Sequence, residues 1–134
     1  LFKFLIFFLT MSFNFPSPFP VMTVKPLRIC LTLDEPSPFI HRVFSAYWSE
    51  GQDISTDDVL RQCCKDIDLD PEFISRASDP EVKAMLQAAT QEAITNGVFG
   101  APTSIVNGHL FWGQDRLDMV EKALKGWVPP SLDA

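Results

Sequence analysis

Between Asn96 and Asp118 the chain reads NGVFGAPTSIVNGHLFWGQDRLD, and the order of signals in that run admits few folds. Asn96-Gly97 is a helix stop, because glycine accepts the left-handed conformation that closes a last turn. Gly100-Ala101 leads into Pro102, whose ring cannot continue a helix. TSIV and HLFW are short β-prone runs separated by Asn107-Gly108, the pair that supplies positive φ at both centres of a type I′ turn. A new helix opens near Asp115. The pattern predicts a β-hairpin entered through a proline and followed at once by a helix. Two strands alone are marginal in water, so they must join a larger sheet or pack under helices.

The residues before this run are helical in pattern. Pro26 sits where a first-turn proline is tolerated, and Leu27, Cys30 and Leu31 recur at helical spacing. Ser37-Pro38 reads as an N-cap and first-turn pair, followed by Phe39, Ile40, Val43, Phe44, Tyr47 and Trp48 on one apolar face that ends at Gly51. Ser55 with Asp58 resembles a capping box, and the helix it opens would bury Val59, Leu60, Cys63, Cys64 and Ile67. Asp70-Pro71 opens a short helix. Asp79-Pro80 opens a longer one, with Val82, Met85, Leu86, Ala89, Ala93 and Ile94 on one stripe. The extended FNFPSPFP segment, from Phe13 to Pro20, excludes helix and central strand and reads as a linker packed by its phenylalanines.

Composition narrows the chemistry. A chain of 134 residues with 46% apolar content is one domain's worth. Its formal charge of -6 is spread along the chain, and Lys and Arg form no block, which argues against a nucleic-acid partner. Cys30, Cys63 and Cys64 show neither CxxC spacing nor a paired pattern, and His41 and His109 lack a ligand-spaced cysteine, so neither a metal site nor a disulfide framework is expected. Cys63 and Cys64 point about 100° apart on a helix and read as core. The aromatic set Phe39, Phe44, Tyr47 and Trp48 reads first as core and second as the wall of an aromatic pocket.

LFKFLIFFLT at the start has the length of a signal-peptide apolar region and is too short to span a bilayer, so no membrane partner is expected. Three readings stand open: part of an incompletely defined gene product, a targeting segment, or a buried native element.

GVFGAPT followed by FWGQDRLD, with WSEGQDI from Trp48 to Ile54 and GWVPP from Gly126 to Pro130, resembles the glutathione-dependent 2-hydroxychromene-2-carboxylate isomerases and kappa-class glutathione transferases. The resemblance implies an α/β fold, thioredoxin-like of the DsbA/kappa type, represented here mainly by the helical insertion and the C-terminal hairpin and helix. It divides the chain into 1–12 (leader or artefact), 13–97 (insertion) and 98–134 (thioredoxin half). It implies a cis Ala101-Pro102 bond that turns the Ala101 backbone toward glutathione, and it implies that Gln114 and Asp115 hold the γ-glutamyl end. Relatives carry Ser or Asn where Gln114 stands. Without the resemblance, Asp115 is an N-cap completed by Asp118, and both readings are kept.

In such enzymes a serine of the first β-α-β unit meets the glutathione thiol. No strand-loop-helix with such a serine precedes Phe13, and Ser12 and Ser17 do not match that position. No catalytic residue is therefore assigned in this chain. The expected function is a glutathione-dependent isomerase or transferase acting on a small aromatic or electrophilic molecule. The alternative is a catalytically inactive glutathione-binding or scaffold module; a disulfide oxidoreductase is disfavoured because CxxC is absent. The resemblance also implies a possible homodimer and a cytoplasmic, mitochondrial or peroxisomal location.

Overall fold

In a computed structural model of the protein, residues 13–130 are described. The apolar decamer at the start, Ser12 and the last four residues lie outside that range. The helices α1 (Val24–Cys30), α2 (Ser37–Trp48), α3 (Asp57–Lys65), α4 (Phe73–Arg76) and α5 (Pro80–Thr95) come first. Strands β1 (Thr103–Val106) and β2 (His109–Trp112), a 3-10 turn at Gln114–Arg116 and helix α6 (Leu117–Leu124) follow. The chain forms two compact units, one ending at Gln87 and the other beginning at Ala88, so that the boundary falls inside α5.

The first unit is built around Ile29, Phe39, Val43, Ala46, Tyr47, Ile54, Leu60, Cys63, Cys64, Ile74 and Ala77, all buried. Phe39, Leu60, Cys63 and Cys64 are fully enclosed, and truncating a phenylalanine so placed costs about 3–5 kcal/mol. The face of α3 is the one its periodicity predicts. The other helices depart from expectation in detail. In α1 the buried residues are Pro26 and Ile29, whereas Leu27 is exposed. In α2, Phe44 turns outward and Ala46 takes its place in the core, which shows an apolar face wider than the space available to bury it.

Neither predicted side-chain cap forms, and the N-cap positions are held by Pro36 and Thr56. Ser37 is already helical, and its N–H donates to Glu35 Oε1 at 3.1 Å. At α3, Ser55 and Asp58 form no capping box. Instead the Asp53 carboxylate accepts from the Ser55 N–H at 3.0 Å and from its hydroxyl at 2.6 Å, which holds that carboxyl below the ordinary aspartate range. WSEGQDI thus makes the connection from α2 to α3: Glu50 takes the Arg42 guanidinium at 2.7 Å, Gly51 has φ +66°, and Ile54 is buried.

FNFPSPFP is fastened differently from the prediction. Its phenylalanines are exposed, and Pro16 is the residue that enters the core. The Asn14 N–H donates to the Trp48 carbonyl at 2.7 Å, the Tyr47 hydroxyl donates to the Pro18 carbonyl at 3.0 Å, and Phe13 stacks on Trp48 with centroids 5.8 Å apart. Of the α5 stripe only Val82 is buried; Met85 and Ile94 are exposed. Periodicity dictates where side chains point, not what meets them.

In the second unit the hairpin has the predicted register, Thr103 opposite Trp112 through Val106 opposite His109, with Asn107 at φ +51° and Gly108 at +82°. The face carrying Ser104, Val106, His109 and Phe111 buries Phe111, and Ala123 of α6 is buried as well. The amide of Asn107 donates to the Ala123 carbonyl at 3.4 Å, tying the turn to the end of that helix.

Candidate functional site

The end of the hairpin away from its turn brings together Gly100, Ala101 and Pro102 on one side and Gly113, Gln114 and Asp115 on the other. The Gly113 N–H donates to the Pro102 carbonyl at 2.9 Å, carrying the strand pairing one step past Trp112. The Ala101-Pro102 bond is cis. The Thr103 hydroxyl donates to the Gly100 carbonyl at 2.5 Å and fixes the loop on that side. Ala101 and Pro102 are exposed. The N–H and C=O of Ala101 enter no backbone hydrogen bond among the described residues, which leaves a free backbone edge of the kind that pairs with an extended peptide.

Gly113 is required where it stands: at φ +107° an L side chain is strained, and a Cβ there would run into the Asp115 carboxylate. Asp115 does not act as the predicted N-cap. It lies inside the 3-10 turn, α6 begins only at Leu117, and no side-chain cap bond is made at either start. The capping claim on this carboxylate is therefore gone. Its partner is Arg116 Nη1 at 3.1 Å, both side chains being at least half exposed, and such a pair is worth little in water. Gln114 is exposed beside it. Asp118, assigned to the same cap by sequence, pairs instead with Lys122 at 3.8 Å.

Four sequence-assigned residues thus meet at one end of one hairpin. Ser104 and His109, two side chains of this unit chemically able to assist a thiolate, lie on the strand face that buries Phe111, opposite to the face of Trp112. Two residues escaped sequence reasoning: Phe99 and Trp112, whose rings sit 5.3 Å apart at 54°. The only signal for them was their position, each immediately before one of the glycines that frame the site.

The first unit has an open pocket of about 480 Å3, lined among others by Thr32, Asp34, Phe39, Asp68, Phe73 and Arg76. No cysteine borders it. Burial pushes the thiols of Cys30, Cys63 and Cys64 upward, Cys64 to about 11, so they stay protonated near neutrality. The aromatic set on α2 is divided, Phe39 and Tyr47 being core while Trp48 carries Phe13. No group of described residues has the makeup of a metal site, and no described helix is long and apolar enough to cross a membrane.

The family model for the DSBA-like thioredoxin domain matches residues 7–125. The 2-hydroxychromene-2-carboxylate isomerase of Sphingobium xenophagum is 33% identical over 92 residues, 68% of this chain and 47% of that protein. The enzyme of the same name from Pseudomonas sp. (strain C18) is 29% identical over 92 residues, 66% of this chain and 42% of its own length. This chain therefore spans about half the length of these relatives. A solved structure of selenomethionine 2-hydroxychromene-2-carboxylate isomerase superposes with a TM-score of 0.74 at 23% identity, covering 86% of this chain and 58% of that one, and speaks to the fold alone.

Proposed function

This chain belongs to the family of DSBA-like thioredoxin domains, and on that premise we propose that it works as part of a glutathione-dependent isomerase or transferase of the 2-hydroxychromene-2-carboxylate isomerase or kappa type. The observation that carries the reading is the Gly113 to Pro102 hydrogen bond, which sets an open backbone edge at Ala101 beside the exposed side chains of Gln114 and Asp115. Glutathione has a matching layout. Its cysteinyl peptide groups suit an unpaired strand edge, and its γ-glutamyl ammonium suits a carboxylate such as Asp115.

The chemistry belongs to the cofactor. Glutathione, when bound, would supply a nucleophilic thiolate whose reversible addition lets a double bond of a conjugated aromatic acid change geometry with no net gain or loss of atoms. In this reading the residues named here bind and orient glutathione and supply no proton. A second reading, a glutathione-binding module without turnover, is favoured by the placement of Ser104 and His109 on the face that buries Phe111.

Calorimetric titration of the full chain with glutathione, followed by a turnover assay with 2-hydroxychromene-2-carboxylate, tests both. Binding that is weakened by Asp115→Asn is expected. Turnover selects the first reading, binding without turnover is compatible with either, and absence of binding overturns both.

A further inference from the structure

Phe99 and Trp112 are large, aromatic and outside the core, 71% and 53% exposed. Exposed aromatics are costly to leave idle, and a pair of them beside convergent polar groups marks a ligand surface. Their arrangement is specific. A Cβ on Gly100 would stand 2.7 Å from the indole nitrogen of Trp112, so the indole lies over a position that only glycine leaves open. Thr103, opposite Trp112 in the register, is tied back to the Gly100 carbonyl, which holds the strand end against that loop.

We infer that Phe99 and Trp112 form an aromatic clamp that takes the planar ring of a conjugated aromatic acid. The inference rests on the reading given above, whose site it extends from cofactor to substrate. Gly100 joins Phe99 to Ala101, and Trp112 is bonded directly to Gly113, so each ring stands within two residues of the proposed glutathione edge. A flat acid held by these rings lies next to the edge on which glutathione would pair. The isomerase relatives act, by their names, on a bicyclic carboxylate of that shape. Tilted aromatic pairs accept a further ring by offset or edge contact, and such contacts discriminate by flatness rather than by functional group.

The probe is 1-naphthoate, with cyclohexanecarboxylate as a saturated acid of the same charge, each titrated calorimetrically into the full chain. Naphthoate is expected to bind, and cyclohexanecarboxylate to bind about tenfold more weakly or not at all. Phe99→Leu and Trp112→Leu should each weaken naphthoate about five- to tenfold, Trp112→Phe should restore most of it, and Leu124→Ala, an equally exposed apolar truncation on α6, should leave it unchanged. Thermal melting of each variant identifies any that has unfolded, and Phe99, which lies in no helix or strand, then carries the test by itself. Equal affinity for the two acids, or naphthoate binding indifferent to both leucine variants, overturns the clamp. So does concentration-dependent self-association abolished by the same variants without any naphthoate binding. Failure of glutathione to bind while naphthoate still depends on Trp112 refutes the proposed function and leaves the clamp standing.

Discussion

The indole nitrogen of Trp112 lies 2.7 Å from where a Cβ on Gly100 would stand, so these two residues share one space. Gly100→Ala forces one of them to move, and the exposed indole is the softer partner. Displacement of Trp112 at a stability cost of about 1 kcal/mol is expected, checked by the change in tryptophan emission against the shift in melting temperature. An unchanged emission spectrum with a lower melting temperature would show instead that the backbone gives way.

Asp115 makes no cap, so its charge is dispensable for folding. Asp115→Asn should weaken glutathione binding by about 1–2 kcal/mol and leave the melting temperature in place, as read by paired titration and thermal scans. An early melt with normal binding would return this residue to a structural role.

Gly113→Ala combines a left-handed φ with a collision against the Asp115 carboxylate. The cost should be about 1–3 kcal/mol, together with loss of whatever binding depends on the Pro102 carbonyl clip. Hydrogen exchange at the Gly113 position reports the clip directly.

Asp66 accepts from the Gln62 amide at 2.6 Å and from Arg42 Nε at 2.6 Å, and these bonds hold its carboxyl below the ordinary value of 3.8. A carboxyl with a lowered folded pKa stabilises the fold above its unfolded value, and that contribution fades as pH falls through the folded value. Melting temperature should therefore drop as pH is lowered from about 4, and Asp66→Asn should give a lower plateau with a shallower acid limb.

Burial lifts the Cys64 thiol to about 11, with the adjacent Cys63 adding to it, and Cys63 is raised by burial as well. At pH 8 about one molecule in a thousand carries the Cys64 thiolate. Alkylation by iodoacetamide should be slow at both positions in the native protein and become fast only with denaturant.

Signals whose physics is local were legible in the sequence. Asn107-Gly108 specifies its turn through the φ angles it permits, and Asp70-Pro71 opens α4 through the Asp70 carboxylate, which takes the Glu72 N–H at 3.0 Å. The α3 face was legible because Leu60, Cys63 and Cys64 share one side of a short helix with polar residues elsewhere. What failed depended on competition between neighbours. Pro36 and Thr56 took the N-cap positions expected of Ser37 and Ser55, and one 3-10 turn moved Asp115 out of its capping position. Nor does spacing reveal occupancy: Leu27, Phe44 and Met85 keep helical period yet lie in the open.

At the site, the turn and the strands were legible, whereas Ala101, Pro102, Gln114 and Asp115 were assigned through family resemblance alone. The clamp was not legible, because Phe99 and Trp112 are brought together by the loop at Gly100 rather than by any helical or strand period.

The Phe-Pro segment is held to the end of α2 at two points, through Asn14 to Trp48 and through Pro18 to Tyr47, with Pro16 sunk between them. In mechanical terms it is a strap riveted at both ends. Tension applied ahead of Phe13 reaches the Asn14 bond first and passes through it to the last turn of α2, while the rivet at Pro18 shields α1 behind it. Pulled from that end, the first unit should yield in steps: the outer rivet, then the seated proline, then the inner rivet, before any helix unwinds.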